Sequence, residues 1–141
     1  MLELGHWDFA ASALRLDKAG RQPILPSGMK IVRDRIAIAE LKAMAEAGFG
    51  DLVKAVVDVR RRVMAVDAEL HADEEALLLE DGSEQTDLWG INLYPEFADH
   101  RWLEFDSVIN IRPSQGNRTR GVEDPDARRA VGEIVGELVA R

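Results

Sequence analysis

Leu52-Val53-Lys54-Ala55-Val56-Val57-Asp58-Val59, broken by Arg60-Arg61 and resumed as Val63-Met64-Ala65-Val66-Asp67-Ala68-Glu69-Leu70, is the stretch that decides the fold. Its first arm is dense in β-branched residues, and its second runs with a two-residue period after a polar break. That pattern predicts two strands joined as a hairpin. Side chains alternate across a strand, so Met64, Val66, Ala68 and Leu70 are expected on the core face and Asp67, Glu69 and His71 on the other.

Upstream, Ile31 to Arg33 reads as a short strand. From Ile38 the apolar residues Ile38, Leu41, Ala45 and Phe49 recur at helical spacing, and Gly48 and Gly50 stop the helix. Downstream, Ala76 to Leu79 is apolar, with Asp73, Glu74 and Glu75 before it and Gly82 after it. This predicts a helix of about two turns with an aspartate cap and a glycine stop. Thr86 to Tyr94 places Trp89, Ile91 and Leu93 on one strand face, and Pro95 ends that ladder because it has no amide hydrogen. Trp102 to Ile111 reads as its antiparallel partner, with Glu104, Asp106 and Asn110 opposite Leu103, Phe105, Ile109 and Ile111. Asp124-Pro125 opens a last helix striped by Val131, Ile134, Val135, Leu138 and Val139.

The order β, α, β, β, α, β, β, α implies one α+β domain over residues 29–141, a mostly antiparallel or mixed sheet of about five strands packed with about three helices. Residues 1–28 lack sustained periodicity and end in Pro23, Pro26 and Gly28, so they are expected to be a loosely ordered N-terminal extension.

Net charge is −8 and the isoelectric point near 4.9, which makes nucleic acid or an anionic membrane unlikely as the main partner. No apolar run reaches the roughly 18 residues of a membrane span and no leader pattern opens the chain, so the expectation is a cytoplasmic protein. Cysteine is absent, which excludes thiolate chemistry and leaves His, Asp and Glu as the metal-binding repertoire. Charge is unevenly placed. Residues 63–100 hold eleven Asp and Glu with no Lys or Arg, whereas Ser107 to Val122 holds Arg112, Arg118 and Arg120 with no carboxylate.

Two constellations follow. Asp67, Glu69 and His71 on one strand, with Glu104 and Asp106 alternating on another, form an oxygen-rich set with one imidazole, suited to Mg or Mn. In that reading His71, Glu104 and Asp106 are candidate catalytic residues, and Asp67, Glu69, His71 and Asp106 candidate metal ligands. The bland alternative is a solvated sheet face. The second constellation is the loop Arg112-Pro113-Ser114-Gln115-Gly116-Asn117-Arg118-Thr119-Arg120-Gly121, where Arg112, Gln115, Asn117, Arg118 and Arg120 offer donors to an anionic small molecule. It lacks a P-loop ending, and its arginines have the acidic block as an internal alternative. Ser107 and Ser114 have no nucleophile elbow. The functional expectation is an anion-binding protein, with metal-assisted hydrolysis as an extension; the alternative is a non-catalytic interaction module with an acidic docking face.

His71-Ala72-Asp73-Glu74-Glu75-Ala76-Leu77-Leu78-Leu79-Glu80-Asp81-Gly82-Ser83, Asp87-Leu88-Trp89-Gly90-Ile91-Asn92-Leu93-Tyr94-Pro95 and Asn110-Ile111-Arg112-Pro113-Ser114-Gln115-Gly116-Asn117-Arg118 resemble a small prokaryotic family classed only as a domain of unknown function. The resemblance covers roughly Met29 to Leu138 and implies no activity, cofactor or catalytic residue. It does imply that residues 1–28 lie outside the domain. Deleting those residues should therefore leave the melting temperature within about 5 °C of the full chain, on the order of 1 kcal/mol for a domain of this size. A larger drop on comparing the two melting curves would mean that the extension packs into the core.

Overall fold

The valine-dense hairpin forms as β3 (Val53–Asp58) and β4 (Val63–Val66), paired antiparallel with Ala55 opposite Val66 and Asp58 opposite Val63. In the computed structural model, which describes residues 28–141, it is the centre of a five-stranded sheet. The other elements are β1 (Lys30–Val32), β2 (Ile36–Ala37), α1 (Ile38–Ala47), α2 (His71–Glu80), β5 (Leu88–Leu93), β6 (Leu103–Glu104), α3 (Pro125–Leu138) and β7 (Val139–Ala140). Strand order is β1-β4-β3-β5-β6, every neighbouring pair antiparallel, and β2 and β7 form a separate parallel pair. The architecture is α+β. Apart from Gly28, the expected extension lies outside the described residues.

Both sheet faces are covered, which is why β3 and β4 read as nearly continuous apolar runs. Ala55, Val57, Met64, Val66, Ile91 and Leu93 meet Leu41 and Ala45 of α1 and Val131, Ile134, Val135 and Leu138 of α3. On the other face Val56, Val63, Ala65 and Leu88 meet Leu77 and Leu78 of α2, with Ile109 at the margin. The residue alternation that splits one strand between solvent and core here splits it between two cores. No described helix is long and apolar enough to cross a membrane.

Local chemistry sets the boundaries. Asp124 accepts the Asp126 amide at 3.2 Å and Pro125 opens α3, as the sequence predicts. At the end of α2, Gly82 takes φ +109°, and the Ser83 and Gly82 amides donate to the Leu78 and Leu79 carbonyls, a Schellman closure. The expected start of α2 is corrected: it begins at His71, not at an Asp73 cap, and runs ten residues with Leu70 at the cap position. No side chain caps it; the Glu74 carboxyl instead turns back past the helix start to accept the Ala68 amide at 3.0 Å.

Two strand expectations are also corrected. β4 stops at Val66 because Asp67 adopts φ +75°, the left-handed region that aspartate tolerates better than most residues. Asp67, Glu69 and His71 therefore do not line one strand face. Trp102 to Ile111 is strand only at Leu103–Glu104, where Glu104 faces Asn92 and Leu103 faces Leu93. Beyond it the chain makes a 3-10 turn at Val108–Asn110, capped by Ser107. Asn110 then stands in for the missing ladder: its Oδ1 accepts the Gly90 amide at 2.8 Å and its Nδ2 donates to the Gly90 carbonyl at 3.0 Å.

That close approach requires a glycine on β5. A Cβ at Gly90 would lie 2.6 Å from Ser107 Cβ and 3.2 Å from Ile109 Cγ1. Gly90→Ala should destabilise the protein by about 1–3 kcal/mol, the usual range for overpacking. Gly132→Ala is the control, since that glycine lies inside α3 with open space around its Cβ direction. It should be neutral or stabilise by up to about 1 kcal/mol. Urea unfolding of both variants checks the contrast, and a tolerated Gly90→Ala would contradict the packing described.

Candidate functional site

Sheet register assembles a polar row that no single strand announces. Lys54 of β3 pairs with Asn92 of β5, and Asn92 pairs with Glu104 of β6. Lys54 and Asn92 are in phase with Val56 and Leu88, so the row lies on the face covered by α2. Adjacent strands are about 4.8 Å apart, so the row spans about 10 Å. Asn92 Nδ2 donates to Glu104 Oε1 at 2.9 Å and to the Asp106 carbonyl at 3.3 Å, and the Tyr94 hydroxyl donates to the same Glu104 oxygen at 3.1 Å. With Nδ2 turned toward β6, Asn92 Oδ1 faces away from it, buried and without a hydrogen-bond partner.

His71, the first residue of α2, sits over β5 with Nε2 2.7 Å from the Ile91 carbonyl. A carbonyl only accepts, so Nε2 carries the hydrogen and the neutral ring keeps its lone pair on Nδ1. Burial pushes the His71 pKa down to about 4; the Ile91 bond opposes that, Lys54 and Arg120 add to it, and Asp106 opposes it. Lys54, Asp106 and Arg120 are thus the charges that His71 feels. One helical turn on, Glu74 is 0% exposed. Burial pushes its carboxyl well above the usual range, against the Ala68 amide bond and Lys54, with Asp67 and Asp73 reinforcing the rise. Its Oε1 has no partner.

The row ends in a cleft on each side. Lys54, Phe49, Leu52, Asp67 and Glu69 line a cleft of about 290 Å³ between the end of α1 and the β4–α2 turn. There the Lys54 ammonium lies 5.2 Å from the centre of the Phe49 ring. Lys30 and Lys42 pair with Glu40 and Glu96, whereas Lys54 has no carboxylate at ion-pair distance among the described residues. At the other end Tyr94, Phe97, Arg101, Leu103 and Glu104 line a shallower cleft of about 360 Å³.

The sequence-predicted residues distribute unevenly over this arrangement. Glu104 and the Asp106 backbone carbonyl meet at Asn92, the Asp106 carboxylate pairs with Arg120 and His71 reaches the neighbouring Ile91 carbonyl, while Asp67 and Glu69 stand on the cleft wall beyond Lys54. Among the described residues no three His, Asp or Glu side chains are arranged to hold a metal ion. The arginine loop turns its donors inward. Arg112 stacks on Trp89 at 4.3 Å and donates to the Gln85 and Leu88 carbonyls, and Gln115 donates to the Thr86 carbonyl. Asn117 Nδ2 donates to the Asn110, Thr119 and Gly121 carbonyls while its Oδ1 accepts the Glu123 amide. Arg120 pairs with Asp106, and Arg118 is exposed. Lys54, Asn92, Tyr94 and Glu74 were missed by sequence reasoning. Their signal was present in Lys54 and Asn92, which interrupt apolar strands at positions facing a core.

A second buried polar cluster makes the contrast clear. Asp58 accepts the Arg60 and Arg61 amides and the Ser83 hydroxyl, and Arg61 reaches Ser83 and Asp81, which Arg33 also holds. None of its buried side-chain nitrogen or oxygen atoms is left without a partner. That cluster ties the hairpin turn to the end of α2, while the row at the other end keeps unpaired acceptors.

His71 and Glu74 oppose each other in pH. His71 has a lowered folded pKa, so between its ordinary 6.5 and about 4 the unfolded chain binds more protons and acid destabilises the fold. Glu74 has a raised one, so above its ordinary 4.5 the folded protein binds more protons and rising pH destabilises it. His71→Gln should therefore lose less stability than the parent on acidification from pH 6.5 to 4.5, by on the order of 3 kcal/mol at most. Glu74→Gln should lose less than the parent as pH rises through the same window. Urea midpoints across that window check both, and parallel profiles for all three proteins would rule out the arrangement.

No curated protein and no solved structure is significantly similar to this chain. A family model does match, over residues 30–138, the whole span from β1 to the end of α3. The chain belongs to the family described as protein of unknown function (DUF5674).

Proposed function

We propose that the protein binds a small anionic molecule, in the cytoplasm, at the end of the sheet where α2 begins. Lys54, on the wall of the cleft between the end of α1 and the β4–α2 turn, takes the negative group. The observation that supports this reading is Lys54 itself, which lines a cleft and has no carboxylate at ion-pair distance among the described residues. The positive end of the α2 dipole adds to the attraction for an anion. The chemistry rests on the side chains of the row and does not draw on the divalent metal expected from the sequence. The arginine loop supports the site from outside by fixing the turn beside Asp106. An acidic docking face has less support, because Asp81 and Asp87 of the acidic block are held by Arg33, Arg61 and Arg60.

A thermal-shift series of small carboxylates and phosphates, at constant ionic strength with chelator present, tests the reading. A ligand at a hundred times its Kd stabilises the folded state by about 2.7 kcal/mol, a shift of several degrees. The parent should respond and Lys54→Gln should not, while His71→Gln should still bind. A flat response of the parent across the series would overturn the proposal.

A further inference from the structure

Resting on that anion site, we infer that its ligand is a free α-amino acid with an apolar side chain: the carboxylate reaches Lys54, the ammonium lies toward Asp67 and Glu69, and the side chain packs on Met44, Phe49 and Leu52. All six residues line the one cleft between the end of α1 and the β4–α2 turn, a volume of about 290 Å³. Charge decides against a plain anion. Lys54 is the sole cation among the residues that line this cleft, and Asp67 and Glu69 bring two carboxylates to it. A ligand bearing only negative charge would meet that pair as repulsion, whereas an ammonium beside its carboxylate turns the pair into a second attraction.

The charges are also placed to be bridged rather than to cancel. The Asp67 amide donates to the Lys54 carbonyl at 3.3 Å, so the lysine and the aspartate are rooted side by side. Opposite charges rooted in this way on neighbouring strands attract and commonly pair. Here the φ of +75° at Asp67 takes its side chain out of the strand alternation, and the Lys54 ammonium rests by the Phe49 ring, 5.2 Å from its centre. Among the described residues the two form no ion pair, and neither Asp67 nor Glu69 has another cation at ion-pair distance. Burial, with Glu40 adding, raises the Asp67 carboxyl above its ordinary range, as befits a carboxylate with no cation to hold it. The short separation at the roots suits a ligand whose two charges sit on one carbon. Half-exposed Phe49, with Met44 and Leu52, completes an apolar side for the rest of the molecule.

Calorimetric titration of the full chain at neutral pH and constant ionic strength separates the contributions. The probes are L-leucine, isocaproate (leucine without its amine), isoamylamine (leucine without its carboxylate), glycine and inorganic phosphate. Leucine should bind at least about tenfold more tightly than isocaproate or isoamylamine, the advantage expected of one charge-assisted hydrogen bond. It should bind about tenfold more tightly than glycine, through its apolar contacts. Asp67→Asn keeps a side chain that tolerates the left-handed turn. Together with Glu69→Gln it should abolish the advantage of leucine over isocaproate without weakening isocaproate. Lys54→Gln should weaken leucine and isocaproate and spare isoamylamine. Equal affinity for leucine and isocaproate, equal affinity for leucine and glycine, or an amine advantage that survives loss of both carboxylates would overturn the inference while leaving the anion site standing. Binding of isocaproate or phosphate without binding of leucine would do the same. Failure of every carboxylate and of phosphate to bind would overturn both.

Discussion

Everything in this fold depends on the sheet being dry on both faces. A five-stranded antiparallel sheet with α1 and α3 on one side and α2 on the other leaves the strand residues of β3 and β4, Lys54 apart, no solvent to turn toward. A polar side chain there must find partners or go without, at a penalty of about 1–3 kcal/mol for each unmatched group. The protein meets this constraint in two ways. At the hairpin turn, Asp58 is enclosed by amides, a hydroxyl and a nearby arginine, and its cluster is complete. At the opposite end, Lys54, Asn92 and Glu74 are only partly matched, and two of the three unpartnered buried side-chain atoms among the described residues belong there.

The difference between these ends separates a closed polar network from an open one. A closed network fixes one arrangement of the chain and has no capacity left for another molecule. The Asp58 cluster joins the hairpin, the β1–β2 turn through Arg33 and the end of α2, three segments far apart in sequence. The Lys54 row is equally well placed by register, but its groups retain acceptor capacity beside two clefts. Rigid placement with unspent polar capacity is the condition for preorganised recognition.

Much of the fold was legible from residue patterns because local rules and tertiary packing agree in it. Asp124-Pro125 and the α3 stripe, the glycine stop of α2 and the valine hairpin each carry a physical reason within a few residues. Errors arose where a side chain replaced a backbone partner. Asn110 imitates a strand residue against Gly90, so the alternation from Trp102 to Ile111 resembled a strand that is only two residues long. Where an Asp73 cap was expected, α2 has no side-chain cap, and Glu74 holds the Ala68 amide ahead of the helix. The left-handed Asp67 turned an apparent row of three ligands into a chain reversal. In the arginine loop, the same donors that read as anion-binding are those needed to satisfy the carbonyls of Gln85, Thr86, Leu88 and Asn110. The row itself was illegible for a different reason. Lys54, Asn92 and Glu104 are far apart in sequence, and their meeting depends on register across three strands.

The placement of the cationic spot follows from the same geometry. Across residues 63–100 the chain is uniformly acidic, and a surface of that charge would repel an anion approaching at random. Lys54 escapes this because β3 lies between β4 and β5, which brings a lysine from outside the acidic block beneath the first turn of α2. That turn contributes the positive end of the helix dipole, and burial disfavours charge on both of its titratable residues that face the sheet. His71 is neutral because burial holds its pKa near 4, and Glu74 is driven toward its neutral form by complete burial. If Glu74 were ionised, it would neutralise Lys54 from behind; if His71 were charged, it would donate rather than accept. The helix thus sets both groups by burying them, and its packing against the sheet is what disfavours charge on them above a strand that carries a lysine.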